Sequence, residues 1–243
     1  IPTHDHMNLS DFIFDKTADN ATLLRALFKN VQRLSGESWD LIKVPHALED
    51  SATAYALERA PTFLSVSSRA KKSNYVNSDM TYERMVENFK GSFRRNLRRL
   101  HRRATESGKL EFHSYRSTED IQRHFHELLE VEGSGWKGER GTQTAISCDQ
   151  SSTHFYEKIA EGFSTSGQCT LNLLTLNGKC IAGQLCLIVD STLYILKIGF
   201  DETHTAIAPG NLIMSELFRQ CAEDSQIKAI SFITDRDWNL LWG

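Results

Sequence analysis

Apolar residues recur along this chain with two different periods, and each change of period marks a change of element. Leu23, Leu24, Leu27, Val31 and Leu34 follow helical spacing and predict a helix that Asn20 or Thr22 caps and that ends near Gly36. A short apolar stretch over 39–44 reads as a strand. Beyond Pro45, a helix over 50–59 follows, capped by Asp50 or Ser51, with Ala52, Tyr55, Ala56 and Ala60 on one side and Pro61 closing it. Residues 62–67 read as another strand, and the polar stretch 71–74 as a turn leading into Tyr75-Val76. Alternating helix and strand is an α/β pattern, but 75 residues are too few for a complete sheet domain.

Ser78 or Thr81 opens the next element. Phe89, Phe93, Leu97, Leu100 and Ala104 are spaced 4-4-3-4, which predicts one long amphipathic helix ending at Ser107-Gly108. Its other faces carry Lys90, Arg94, Arg95, Arg98, Arg99, Arg102 and Arg103, seven cations in fourteen residues with no acid among them. Two readings stay open: a contact surface for phosphates, nucleic acid or CoA, or a solvated basic face beside acidic neighbours. No interleaved aromatics point to a sequence reader.

An alternating strand over 109–115 leads to a helix capped by Ser117 or Thr118, with Ile121, Phe125, Leu128, Leu129 and Val131 as its apolar positions. Residues 133–142 hold four glycines and must be a loop. A helix with Phe155, Ile159 and Phe163 on one face runs to Gly167. Three strands follow, over 169–176, 180–189 and 192–200. The pairs Asn177-Gly178 and Asp190-Ser191 join them, and Asn-Gly between apolar runs is a strong hairpin signal. An antiparallel meander results. A loop over 201–210, a helix over 211–224 and a strand over 227–233 complete the chain.

With 243 residues, 40% hydrophobic and 24% charged, the chain has the composition of a soluble globular protein. The longest uncharged apolar run, near Leu185 to Val189, is far shorter than the roughly 20 residues that cross a bilayer. The start lacks Met and has no apolar leader segment, so the sequence is expected to begin inside a longer chain. Five cysteines without a C-x-x-C pair suggest a reducing, cytoplasmic compartment. His4 with His6, and His124 with His126, have no partner cluster at a metal-binding spacing, so no metal is expected. The net charge of −3 excludes a globally basic nucleic-acid or membrane binder and directs attention to the local basic stretch.

Strand, strand, strand, loop, helix, strand is the order in which a GNAT fold lays out its acyl-donor half. Five segments occur in series: Phe93-Arg94-Arg95-Asn96-Leu97-Arg98-Arg99; Gly135-Trp136-Lys137 with Gly141-Thr142; Asn177-Gly178-Lys179-Cys180-Ile181-Ala182-Gly183; Tyr194 through Glu202; and Pro209-Gly210. Through them, residues 75–235 resemble the GNAT-like acetyltransferases of the CelD-type group, associated with cellulose and exopolysaccharide biosynthesis and related to the Fem-like aminoacyltransferases. The resemblance implies an α/β (α+β) fold with a mixed, largely antiparallel sheet flanked by helices. It also implies an acyltransferase domain over 76–243 and part of a degenerate first GNAT-like half over 1–75. The implied co-substrate is acyl-CoA, acetyl-CoA in the first instance, and the implied acceptor an amine or hydroxyl of a sugar, peptide or small metabolite. In Fem-like relatives charged tRNA is the donor, for which 94–103 would be a contact surface. A non-catalytic GNAT-fold module that binds a partner is the third reading. The stretch 204–210 has one glycine where the usual GNAT phosphate loop has more, and 235–239 differ from the Tyr-Lys pair that relatives tend to show.

Candidate site residues are set by the requirements of acyl transfer. A helix start offers unpaired N–H groups and the positive end of the dipole to a pyrophosphate. Pro209, Gly210 and Asn211 sit at such a start, with Asn211, Leu212 and Ile213 expected to supply N–H groups. Attack on a thioester also needs a base and groups that stabilise the oxyanion. Lys197, Asp201 and Glu202, at or beyond the end of a strand, are the polar candidates, with Asp201 or Glu202 as base and Tyr194 as acid for the departing thiolate. Strict alternation separates Tyr194 and Lys197 onto opposite faces unless a bulge intervenes. Glu132, Trp136, Lys137 and Arg140 are assigned to the acceptor side, and Gln184 is either a core polar residue or a substrate contact. No Cys or Ser stands in a nucleophile motif beside a His, which favours direct attack without a covalent intermediate.

Overall fold

Asn177 and Gly178 have φ of 52° and 78°, and Asp190 and Ser191 have 48° and 59°. Two successive left-handed residues form the tight turn whose twist matches antiparallel strands. These turns make β3 (Cys169–Leu176), β4 (Lys179–Val189) and β5 (Thr192–Phe200) successive antiparallel neighbours in the computed structural model. The structure describes residues 11–15, 17–35, 43–44, 47–59, 66, 74–234 and 237–242. The strands expected over 39–44 and 62–67 fall largely outside these residues, as do His4 and His6.

Around the meander, β2 (Leu110–Tyr115) pairs antiparallel with β3, β6 (Ala229–Ser231) parallel with β5, and β1 (Tyr75–Asn77) antiparallel with β6. The six strands run in the order β1-β6-β5-β4-β3-β2. This is the mixed, largely antiparallel sheet expected from the sequence. One face is covered by α3 (Tyr82–Asn88), α4 (Gly91–Ser107) and α7 (Pro209–Glu223), which bury Met85, Phe93, Leu97, Met214 and Phe218 against Ile195 and Ile230. The other is covered by α5 (Thr118–Gly133) and α6 (Gln150–Ser164), which bury Ile121, Leu128 and Tyr156 against Leu171 and Leu185.

The long helix expected from Thr81 to Ser107 is two helices. Phe89 takes an extended backbone (φ −72°, ψ 147°), which ends α3 and lets the chain turn into α4. Its ring then meets Phe93, Phe218 and Trp242 at centroid distances of 6.0, 5.7 and 5.3 Å. Burying this aromatic cluster outweighs one unbroken run of helical hydrogen bonds. The face of α6 also differs. Tyr156 and Ala160 point inward, whereas Phe155 is 51% exposed, one residue out of phase with the expected stripe.

The chain forms two compact units, Ile1–Lys71 and Lys72–Gly243. In the first, α1 (Asn20–Ser35) and α2 (Ala52–Glu58) bury Leu24, Phe28 and Ala56, with Phe12, Phe14 and Leu57 around them. Asp19, not Asn20 or Thr22, caps α1, accepting from the Ala21 N–H at 3.2 Å. Leu23, Leu27 and Val31, taken from the sequence as core, are half-exposed.

In the second unit, β5 is open along part of one edge and closely covered on one face. Thr192 to Tyr194 of β5 pair with β6, and from Ile195 to Phe200 that edge of β5 has no strand beside it among the described residues. On the sheet surface, Gly183 and Gly199 are cross-strand partners, and α5 lies over them. A Cβ on Gly199 would stand 2.5 Å from Glu132 Cα and 2.9 Å from its amide nitrogen. Those are backbone atoms that cannot swing aside, so glycine sets how closely α5 approaches the sheet. No helix among the described residues is long and apolar enough to cross a membrane.

Gly199→Ala is expected to destabilise the protein by about 2 kcal/mol or more through overpacking. Gly162→Ala, in the exposed interior of α6 with nothing within 4 Å of a new Cβ, should stabilise it by about 0.5–1 kcal/mol. Urea midpoints of the two variants, moving in opposite directions, check both.

Candidate active site

The pairing of β4 with β5 slips by one residue: Leu185 faces Lys197, but Cys186 faces Ile195. Leu196 is the extra residue of a bulge, and the slip reverses the alternation beyond it. Tyr194 and Lys197 therefore share the face covered by α5 and α6, the condition under which the sequence allowed it. They remain separated by three residues, about 10 Å along the strand. Tyr194 lies at the β6-paired end, beside Tyr75. Lys197 lies deeper, its ammonium 5.0 Å from the centre of the Tyr156 ring.

Next to Lys197 is Glu132, near the end of α5. Its side chain is fully buried, a position that a carboxylate holds only with partners. Lys137 Nζ stands 3.2 Å from Oε1, and the Ile146 N–H donates to Oε2 at 2.9 Å. The same Lys137 ammonium donates to the Ile198 carbonyl at 2.6 Å, on the edge of β5 that β6 leaves open. One lysine thus ties the end of α5 to the free strand edge.

The glycine-rich loop delivers Lys137 to that position. Gly138 N–H donates to the Gly135 carbonyl at 2.9 Å, Gly141 N–H to Gly138 at 3.0 Å, and Thr142 N–H to Trp136 at 2.8 Å. A side chain on Gly138 or Gly141 would run into the carbonyls of Gly133 and Trp136. The loop is a compact knot, closed by Ala145 N–H donating to the Lys137 carbonyl at 2.8 Å. It turns Lys137 inward and leaves Trp136 54% exposed.

Between loop and strand is a small, open depression, lined by Glu132, Trp136, Lys137 and Glu202 with the end of β5. Glu202 Oε1 accepts from the Trp136 N–H at 3.4 Å. Asp201, one residue earlier, is otherwise engaged: it caps the 3-10 turn Glu202–Ile207, accepts from Thr203 and pairs with Lys179 at 2.9 Å. Burial pushes its carboxyl up, but the Thr203 and Lys179 hydrogen bonds outweigh this and hold it down at about 2. So weak a base suits a cap that fixes Glu202 at the pocket.

Beyond the turn, α7 starts with Pro209 in its first turn and Ala208 in the left-handed region (φ 47°), with no side chain among the described residues capping the helix. Gly210 abuts β5: a Cβ there would come 3.1 Å from Phe200 Cδ1. Phe200 therefore touches the helix start and also lines the pocket. The expected supply of N–H groups is smaller than the sequence suggested. Asn211 and Leu212 N–H both bend back to the Ala208 carbonyl, at 2.9 and 3.3 Å, and Leu212 and Ile213 are core side chains. Gln184 is fully buried on the opposite face of the sheet, with Nε2 2.9 Å from Met214 Sδ, and Arg140 is exposed on the loop outside the pocket lining. Among the described residues no cluster of His, Cys, Asp and Glu is placed to hold a metal ion.

A family model described as an acetyltransferase (GNAT) domain matches residues 91–238, which include the bulge, the loop and the helix start. The chain belongs to this family. No curated protein matches it in sequence. Among solved structures it is similar to FemX (TM-score 0.55, 14% identity, over 96% of this chain and 76% of that one). It is also similar to a conserved protein of unknown function from Bacteroides thetaiotaomicron VPI-5482 (TM-score 0.50, 16% identity, 91% and 71%). A weaker likeness is to L-PGS from Bacillus licheniformis (TM-score 0.42, 15% identity), where the match covers 66% of this chain and 43% of that one. At such identities these likenesses concern the fold alone.

Three parts of this candidate site escaped the sequence reading. Tyr156 was hidden by the phase error in α6, although a Tyr beside a Phe on a predicted helix was a visible alternative. The Ile198 carbonyl and the seat at Gly199 are backbone features, for which a Gly one residue before Phe200 was the available signal. Electrostatics sharpen the picture. Burial, opposed by Glu132 and reinforced by the nearby Lys137 charge, brings Lys197 down from 10.5 to about 8. Burial and then the Glu132 charge push the Tyr156 phenol upward.

The lowered pKa has a definite sign in stability. Between about 8 and 10.5 the unfolded chain holds the Lys197 proton more tightly than the folded one, so folding gains as pH rises through that window, and below about 8 the buried ammonium exerts its full destabilising effect. Lys197→Met removes the titration. Its stability relative to the parent should be highest below pH 8 and should fall between pH 8 and 10.5, as read from urea unfolding across that range.

Proposed function

We propose that this GNAT chain transfers an acyl group, acetyl in the first instance, from acyl-CoA to an amine or hydroxyl of a sugar, peptide or small metabolite. The observation that carries this reading is the continuity at Phe200, which abuts Gly210 at the start of α7 and lines the pocket at the free edge of β5. A pyrophosphate against the uncapped first turn, beside Pro209 and Gly210, would send its acyl arm along that edge. Glu202 takes the acceptor's proton, and Trp136, with Arg140 further out, meets the acceptor at the mouth. Lys197 and Glu132 set the charge beneath it. Tyr194, about 10 Å away along the strand, and Gln184, on the other face, have no part in the chemistry of this reading. The same motif series supports membership of the CelD-type group and a degenerate first half over 1–75. The five cysteines, all free thiols, go with a cytoplasmic setting.

A second reading, aminoacyl transfer from charged tRNA, is favoured by one observation. On α4, Arg94, Arg95, Arg98 and Arg103 have no carboxylate partner among the described residues, while the helix packs by its apolar face against Ile207 and Leu212 near the start of α7.

Calorimetric titration with acetyl-CoA separates the two. Binding at about micromolar strength, weakened at least about tenfold by Gly210→Trp, is the expected result. Equal binding by the variant removes the donor from α7. No binding by the parent, with salt-dependent binding of charged tRNA, would transfer the proposal to the second reading.

A further inference from the structure

The pocket already contains a primary amine. Lys137 Nζ is held at the free edge of β5 by the Ile198 carbonyl at 2.6 Å and by Glu132 at 3.2 Å, on a loop whose own hydrogen bonds keep it in place. Its side chain is 21% exposed, so the amine is recessed but reachable from the pocket. We propose that Lys137 is a self-acylation site: with an acyl thioester lying along β5 and no acceptor bound, the chain acylates its own Lys137. This rests on the acyl-CoA reading of the same site.

The step balances without further reagents. Lys137 passes one ammonium proton to the Glu132 carboxylate, the group within reach of Nζ, and the neutral amine attacks the thioester carbonyl. A C–N bond forms and the C–S bond breaks. The second amine proton goes to the departing thiolate, leaving an amide on Lys137 and free thiol. Being an amide, the product is stable and is not a turnover intermediate. It fills the acceptor side and removes a positive charge from it, so the modification limits the enzyme that makes it.

Position distinguishes Lys137 from four other described lysines. Lys109, Lys158 and Lys179 are at least 62% exposed, pair with Glu111, Glu161 and Asp201, and do not line the pocket. They report the chemical background of any acyl thioester. Lys197 is held beneath the Tyr156 ring and does not line the pocket. An amine fixed beside a bound donor reacts as if at very high local concentration, whereas the background lysines depend on collision.

The test incubates the full chain with acetyl-CoA and no acceptor, digests it, and follows acetylation of each lysine by mass spectrometry, with donor binding measured in parallel by calorimetry. Lys137 should be modified at least about tenfold faster than Lys158, as expected for a positioned amine. Gly210→Trp and Glu132→Gln should each abolish that excess while Lys158 continues at its background rate. Because Glu132→Gln perturbs a buried ion pair, Gly210→Trp is the variant that decides if the former folds poorly. Donor binding with Lys137 no faster than Lys158 overturns the self-acylation and leaves the acyl-CoA reading intact. Absence of both binding and selective modification overturns the two together.

Discussion

A carboxylate with no exposure to water must be matched by donors or positive charge, and meeting that demand at Glu132 organises the surrounding structure. Lys137 comes from the glycine-rich loop, the Ile146 N–H from the turn after it, and the Lys197 charge from the bulge in β5. Two segments that follow α5 closely in sequence and one strand far along the chain are thereby held to one end of α5. Lys137 also bonds the Ile198 carbonyl, so the carboxylate that fixes the loop also fixes the open strand edge. If Glu132 lost its partners, the loop, the turn and the edge would lose their common anchor.

The geometry beneath this anchor is made by small departures from regularity. A flat, fully paired β5 would offer neither an open edge nor a Lys on the α5 face. The extra residue at Leu196 turns Lys197 toward Glu132, the early end of β6 frees the edge, and the absence of a side chain at Gly199 lets α5 settle close enough for the carboxylate to reach both. Each departure would weaken a sheet taken alone. Here each is coupled to the others, which is the pattern expected where a fold serves chemistry and not only stability.

Much of the fold was legible because its signals are local. Asn177-Gly178 and Asp190-Ser191 state the meander through backbone conformations that few other residues adopt, and the apolar spacing of Phe93, Leu97, Leu100 and Ala104 states the buried face of α4. The break at Phe89 was not legible, because helical periodicity continues through it. Only the aromatic cluster with Phe218 and Trp242, more than a hundred residues away, explains it. The candidate site divides in the same way. Glu132, Trp136, Lys137 and Glu202 were named from the sequence as separate acceptor-side and catalytic sets, and the structure brings them to one pocket. The role of Asp201 as a cap and the engagement of Asn211 and Leu212 N–H with Ala208 depend on hydrogen bonds that residue types alone do not specify.

The helix α4 has a consequence at longer range. Its seven-cation stretch belongs to a chain with 28 Lys and Arg against 31 Asp and Glu, so the remainder is markedly acidic. The helix therefore concentrates positive potential in one place on a chain that is negative elsewhere. It would draw a polyanion toward α4 before the surfaces touch, and that attraction would fade as salt shortens the reach of the field.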